Sequence, residues 1–185
     1  MQSKTLAVYT FNELAAPFLA ERNKAYRDVE PGAFAAVEQC EGFIARSGYR
    51  GEDGPASWGS MVMPKCWENL NGDGWAPVTL SLWTSIEALI AATYHGYHGH
   101  AYRLGHQWHI RAKDIPSYVL WWVLEDHRPD WAEAVGRYEG LLDNGPSASA
   151  FSFKQAFDPA GRRTNPDAQK IQLLAGRITP APTQD

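Results

Sequence analysis

The chain has 185 residues, of which 44% are hydrophobic and 21% charged, and carries a formal net charge of −4. That length is enough for one domain with its own core, and the acidic balance argues against a protein held to nucleic acid by a basic surface. Two separated cysteines, Cys40 and Cys66, suggest neither a disulfide framework nor a CxxC metal knuckle and fit a reducing cytoplasm, with a single bridge left open.

The opening MQSKTLAVYTFNEL has no apolar stretch ahead of a small-residue cleavage site, so no signal peptide is expected. No run approaches the ~18 apolar residues that cross a bilayer. A soluble, cytoplasmic protein is the expectation. Eight tryptophans, eight tyrosines and seven phenylalanines stand out, since aromatic rings serve cores, interfaces and ligand pockets alike.

TLAVYTF (5–11) alternates and is rich in β-formers, which predicts a first strand. NELAAPFLAERNKAYRDVEP reads as a connector punctuated by Pro17 and Pro31. Phe34, Val37 and Cys40 then fall at helical spacing with Gly42 as a stop, and FIARSGY (43–49) predicts a second strand. Residues 50–77 break every period yet hold Trp58, Trp67 and Trp75. A disordered linker rarely carries so many tryptophans, so this stretch reads as an ordered loop or short hairpin, either a pocket lid or simple packing.

VTLSLWT (78–84) predicts a third strand, with Thr79, Ser81 and Trp83 on one face and Val78, Leu80 and Leu82 on the other. A helix over SIEALIAATY follows, capped by Ser85 or Thr84. Gly96 and Gly99 interrupt it, and HAYRLGHQWHIRAK resumes as a second helical piece that ends at Ile115 and Pro116. SYVLWWV (117–123), apolar on both faces, reads as a central strand. Pro129 and Asp130 open another helix, whose apolar stripe is Trp131, Val135, Tyr138 and Leu142 and which Asn144-Gly145-Pro146 close. ASAFSF (148–153) predicts a last strand. The tail 154–185 has little periodicity apart from IQLLAG, which can dock on the body while the remainder stays mobile.

This order predicts an α+β fold over residues 1–153: a ferredoxin-like antiparallel sheet with helices on one face, followed by a C-terminal extension over 154–185. The sheet's other face then needs a cover, and a homodimer supplies it.

A tryptophan at a strand end (Trp83) precedes an S-x-E-A-L helix (Ser85 to Leu89), then Tyr94, His98 and Trp108. Leu120–Val123, His127-Arg128-Pro129 and Gly145–Phe153 continue the pattern. Together these motifs resemble a bacterial family known as a domain of unknown function, number thirty-two ninety-one, with Leu124 standing where that family often has proline. That family is similar to the dimeric α/β-barrel proteins, which include antibiotic-biosynthesis monooxygenases and several haem enzymes. The resemblance implies two copies pairing into a barrel, and His98 as the one histidine of the 95–109 stretch at a family position.

Five of the six histidines (His95, His98, His100, His106 and His109) lie within eighteen residues ending at His109. Zinc wants about four converging ligands, and no HExxH, CxxC or aspartate cluster accompanies them, so no metal is expected. An imidazole facing an apolar pocket suits proton transfer near neutrality. On that reading His98 is the acid/base, Tyr94 its hydrogen-bond partner, and Trp83, Trp108, Trp122, Trp58 and Trp75 contact the substrate. The expected function is then a cofactor-independent, monooxygenase-like enzyme, isomerase or lyase acting on an apolar or aromatic small molecule. Two alternatives stay open: a haem b protein with His98 as axial ligand, and a non-catalytic binding or dimerisation module in which His98 is a core residue satisfied by a carbonyl. His127-Arg128 reads as structural, anchoring its loop or pairing with Glu125 or Asp126. No P-loop, GxGxxG or Ser-His-Asp elbow is present.

Overall fold

The computed structural model of the chain describes residues 3–110 and 115–180. Its centre is an antiparallel four-stranded sheet made of β1 (Lys4–Phe11), β3 (Phe43–Arg46), β4 (Val78–Trp83) and β6 (Tyr118–Leu124), in the order β3-β4-β1-β6. β1 sits inside, with Val8 opposite Ser81 on one side and Leu120 on the other. The α+β class and the antiparallel sheet are as the sequence predicts.

Alternation along β1 sorts the core into two layers. Ala7, Tyr9 and Phe11 face α4 (Trp131–Asn144), whose buried stripe is Trp131, Ala134, Val135, Tyr138 and Leu141. Leu6 and Val8 face the opposite way, toward α2 (Ile86–Tyr94), which buries Ile86, Ala88, Leu89, Ala91 and Ala92. The expectation of helices on one face only therefore fails. Because α4 and Trp58 close the second face within the chain, no bare sheet face remains to require a second copy.

β6 is an outer strand, not the central one that its continuous apolar run suggests. Both its faces are covered, Trp121 by α4 and Leu120 by the other layer, and that burial needs no second flanking strand. Beyond it, residues 148–153 form turns in place of the expected strand. Only isolated bridges form there among the described residues, and one of them ties the segment to β6, with Leu120 and Phe151 exchanging backbone hydrogen bonds of 2.8 and 2.9 Å.

The connector read between residues 12 and 31 holds the short β2 (Glu13–Leu14) and the start of α1 (Lys24–Glu38). Pro31 lies inside that helix, where it removes the bond to the Arg27 carbonyl and crowds that carbonyl with its ring. α3 (Gly96–Leu104) follows α2 after a one-residue break, and β5 (His109–Ile110) pairs with β2. The expected second helical piece thus ends early, and its last residues, 111–113, lie outside the described residues.

The tail packs as part of the same core. A hairpin of β7 (Ala156–Phe157) and β8 (Arg163–Thr164) leads to α5 (Ala168–Ala175), whose Leu174 is buried against α2. Glu87 of α2 accepts from the Asp167 N–H at 3.2 Å and pairs with Lys170 at 3.4 Å. Among the described residues no helix is long and apolar enough to cross a membrane.

Candidate functional site

The two helical layers differ in how they meet the sheet. On the α2 side, Val8, Thr10, Thr79, Ser81 and Trp83 point from β1 and β4 toward α1, and three of these five side chains are small and hydroxyl-bearing. They leave a cavity of about 940 Å³, roofed by α1 and walled by α2 and α3. Its size falls within the ~300–1,000 Å³ usual for small-molecule sites. Its floor is hydrogen-bonded: the Thr10 and Thr79 hydroxyls lie 2.7 Å apart, and Trp83 Nε1–H donates to Ser81 Oγ at 3.0 Å.

The break between α2 and α3 places His98 on this cavity. Ser85 starts α2 by accepting from the Ala88 N–H at 3.2 Å. Gly96 turns the chain with φ +59°, and a side chain there would come within 2.5 Å of Ile178. Gly99 lets α3 fold back on the end of α2, since an added Cβ would sit 2.4 Å from the Tyr94 carbonyl. The termination frees the Thr93 carbonyl, and His98 Nδ1–H donates to it at 3.0 Å. That bond leaves the proton on Nδ1 and the lone pair on Nε2, and Nδ1 makes the one side-chain hydrogen bond of His98 among the described residues. Burial lowers the His98 pKa, against a weaker opposing pull from the Thr93 carbonyl. The imidazole is therefore neutral near pH 7, with a free base nitrogen on the cavity.

Of the other expected site residues, Trp83, Tyr94 and Trp108 line the cavity. Tyr94 stands at its rim with its ring edge-on to Tyr102 at 5.2 Å, and burial pushes its pKa up to about 12. The Thr93 carbonyl, not the Tyr94 hydroxyl, holds His98. Trp122, Trp58 and Trp75 are not wall residues. Trp122 Nε1–H donates to the Phe157 carbonyl at 2.7 Å, under the tail. Trp58 is buried on the far side of the sheet, and Trp75 stacks on Phe18 at 4.1 Å, one ring behind the cavity-lining Tyr26. The long loop nevertheless reaches the cavity through Cys66, Glu68 and Leu70.

Among the remaining histidines, His95 is the exposed residue between α2 and α3, and His106 donates from Nδ1 to the Arg103 carbonyl at 2.8 Å. His109 lines the cavity edge-on to Tyr26 at 5.9 Å, and burial lowers its pKa from 6.5 to about 4. No group of three or more His, Cys, Asp or Glu able to hold a metal occurs among the described residues. His127 pairs with Glu133 at 2.6 Å, not with Glu125 or Asp126, while Arg128 lies over the Trp58 ring.

Sequence reasoning missed the roof. Tyr26, Glu30 and Phe34 recur every fourth residue and share one face of α1. Tyr26 O–H donates to Glu30 Oε1 at 2.7 Å, and burial raises the pKa of Glu30. Arg46 lies 4.2 Å from the Phe34 ring centroid and is tied to Glu38 at 2.6 Å. The spacing was present in the sequence, but Pro31 disguised it as a connector.

The sequence model of one family, described as Domain of unknown function (DUF3291), matches residues 5–168. The match takes in the long loop and the hairpin of the tail as well as the motif-bearing middle. No curated protein and no solved structure matches the chain.

Proposed function

The chain belongs to this family of unknown function, and we propose that it is a small-molecule enzyme whose substrate is an apolar or aromatic compound bound in the cavity beneath α1. The observation that carries this reading is His98: a neutral imidazole fixed through Nδ1, presenting an unpartnered Nε2 to a cavity with aromatic walls. Nε2 takes a proton from the bound molecule and returns it at another position or to a leaving group. Isomerisation, cyclisation and dehydration all use that step, as does cofactor-independent oxidation in which the resulting carbanion is oxidised by dioxygen. Tyr94, Trp83 and Trp108 act as walls, and the cavity floor supplies hydroxyls from Thr10 and Thr79.

The strand order β3-β4-β1-β6 supports a ferredoxin-like reading of the sheet. Pairing into a dimeric barrel has less support, because the face such a barrel encloses is occupied by α4. The support for a monooxygenase-like reading is therefore the strand order within one chain, and the proton transfer at His98 is proposed beside it.

Haem is the weaker reading. An imidazole with Nδ1–H on a carbonyl is how axial ligands are oriented. The cavity, however, carries Glu13, Glu30 and Glu68, while Arg46 is committed to Glu38. Those carboxylates oppose the two propionates of haem, so the residues present do not fit the group. Freshly purified protein is expected to show no Soret absorption.

The test is to incubate wild-type protein and His98→Gln with a cellular metabolite extract and follow the mixture by mass spectrometry. At least one compound is expected to disappear with the wild type and persist with the variant, at a rate differing ~10²–10⁴-fold. Identical extracts would contradict the reading.

A further inference from the structure

The charged groups on the cavity are unevenly balanced. Glu13, Glu30 and Glu68 line it, against Arg46 and Lys154. Arg46 is not free to receive an anion, because its Nε–H donates to Glu38 at 2.6 Å and its guanidinium lies over Phe34. Lys154 is exposed at the cavity's edge. Among the described residues, the one side-chain hydrogen bond of Glu30 is that of Oε1 with the Tyr26 hydroxyl, which leaves Oε2 for a ligand. The Tyr26 ring is edge-on to Trp108 at 5.7 Å, and both rings line the cavity with Phe34. A second feature, independent of these acids, also points to a ligand: the buried Nε2 of His109, a residue lining the same cavity, has no hydrogen-bond partner among the described residues.

We propose that the ligand of this cavity is an organic cation, an amine with an apolar or aromatic body, whose ammonium group sits against Glu30 beside the rings of Tyr26 and Trp108. A carboxylate among aromatic rings is the chemistry that recognises ammonium groups, because ring faces and carboxylate oxygens both attract a desolvated cation. Burial disfavours a lone Glu30 carboxylate, and an incoming ammonium supplies the opposite charge that restores it. The apolar body then lies along the Thr10–Thr79 floor toward His98. This rests on the reading of the cavity as a substrate site and adds to it the charge of the substrate.

Two matched triads of probes test it by isothermal titration: phenethylamine, phenethyl alcohol and phenylacetate, then octylamine, octanol and octanoate. The proteins are wild type, Glu30→Gln and the cavity-filling Ala33→Trp, each checked for native circular dichroism. In at least one triad the wild type is expected to bind the amine on the order of tenfold tighter than the alcohol, with the carboxylate weakest. Glu30→Gln should remove that preference while leaving alcohol binding unchanged, and Ala33→Trp should abolish binding of all three. Equal binding within a triad, or a carboxylate preference, lost in Ala33→Trp would overturn the cation while keeping the cavity as a site. An amine preference that survives in Glu30→Gln would also overturn it. No binding of any probe, or binding indifferent to Ala33→Trp, would overturn the cation and the cavity reading together.

Discussion

One face of the sheet is filled and the other is hollow. Against α4, Tyr9 packs edge-on to Trp131 and Tyr138, and Trp121, Trp131 and Tyr138 are fully buried. Against α1, the sheet offers Thr10, Thr79 and Ser81, and the helix itself buries no residue completely. Both helices are amphipathic, so the difference lies in the strands beneath them. Large rings meet α4, and small hydroxyl side chains meet α1. A close-packed layer stabilises the fold, whereas a layer with its volume withheld leaves space for something other than protein.

The contrast is broken most forcefully at Trp131. Trp131→Ala leaves a void among fixed neighbours and removes the Nε1–H bond to Ser57 Oγ, so a loss of about 3–5 kcal/mol is expected in denaturant unfolding. Phe34→Ala on the hollow side only enlarges existing space and should cost about 1–2 kcal/mol. Equal losses would mean that the two faces do not differ in packing. An intermediate effect belongs to the caps: Asp130 accepts from the Glu133 N–H at 2.8 Å, and Asp130→Ala should cost about 1 kcal/mol.

The hollow face also carries a pH signature. Burial holds the His109 pKa at about 4, below its ordinary 6.5. The fold therefore prefers the neutral ring, and the stability tied to it is fully present above pH 6.5 and lost as pH falls toward 4. His109→Gln is expected to flatten that part of the stability profile measured by urea melts. Glu30 has the opposite sign, since its raised pKa means stability is lost as pH rises through the folded value. The smallest effect is expected at the surface, where Lys65→Ala removes a 3.4 Å pair with Glu139 and should change stability by about 0.5 kcal/mol or less.

Periodicity made β1, β4, β6, α2 and α4 legible, and the alternation of Thr79, Ser81 and Trp83 placed them on one face. What it could not supply was what covers each face. That depends on whether α4 folds back over Tyr9, a long-range choice that no local pattern encodes. His98 was legible because its spacing to Tyr94 and Trp108 matches the family pattern. The helix does break at Gly96 as expected, and with Gly99 that break turns His98 onto the Thr93 carbonyl. The distribution of tryptophans misled for a simple reason. Trp58 and Trp122 bury as much apolar area in cores as a wall residue does in a pocket, and only the fold separates the two uses.

Nuclear magnetic resonance of the His98 ring nitrogens tests the central claim most directly. Near neutral pH the account predicts a neutral ring with the proton on Nδ1, and an unprotonated Nε2 resonance that shifts when a cavity ligand is added while that of His100 does not. A proton on Nε2, or an imidazolium already present at neutrality, would contradict it.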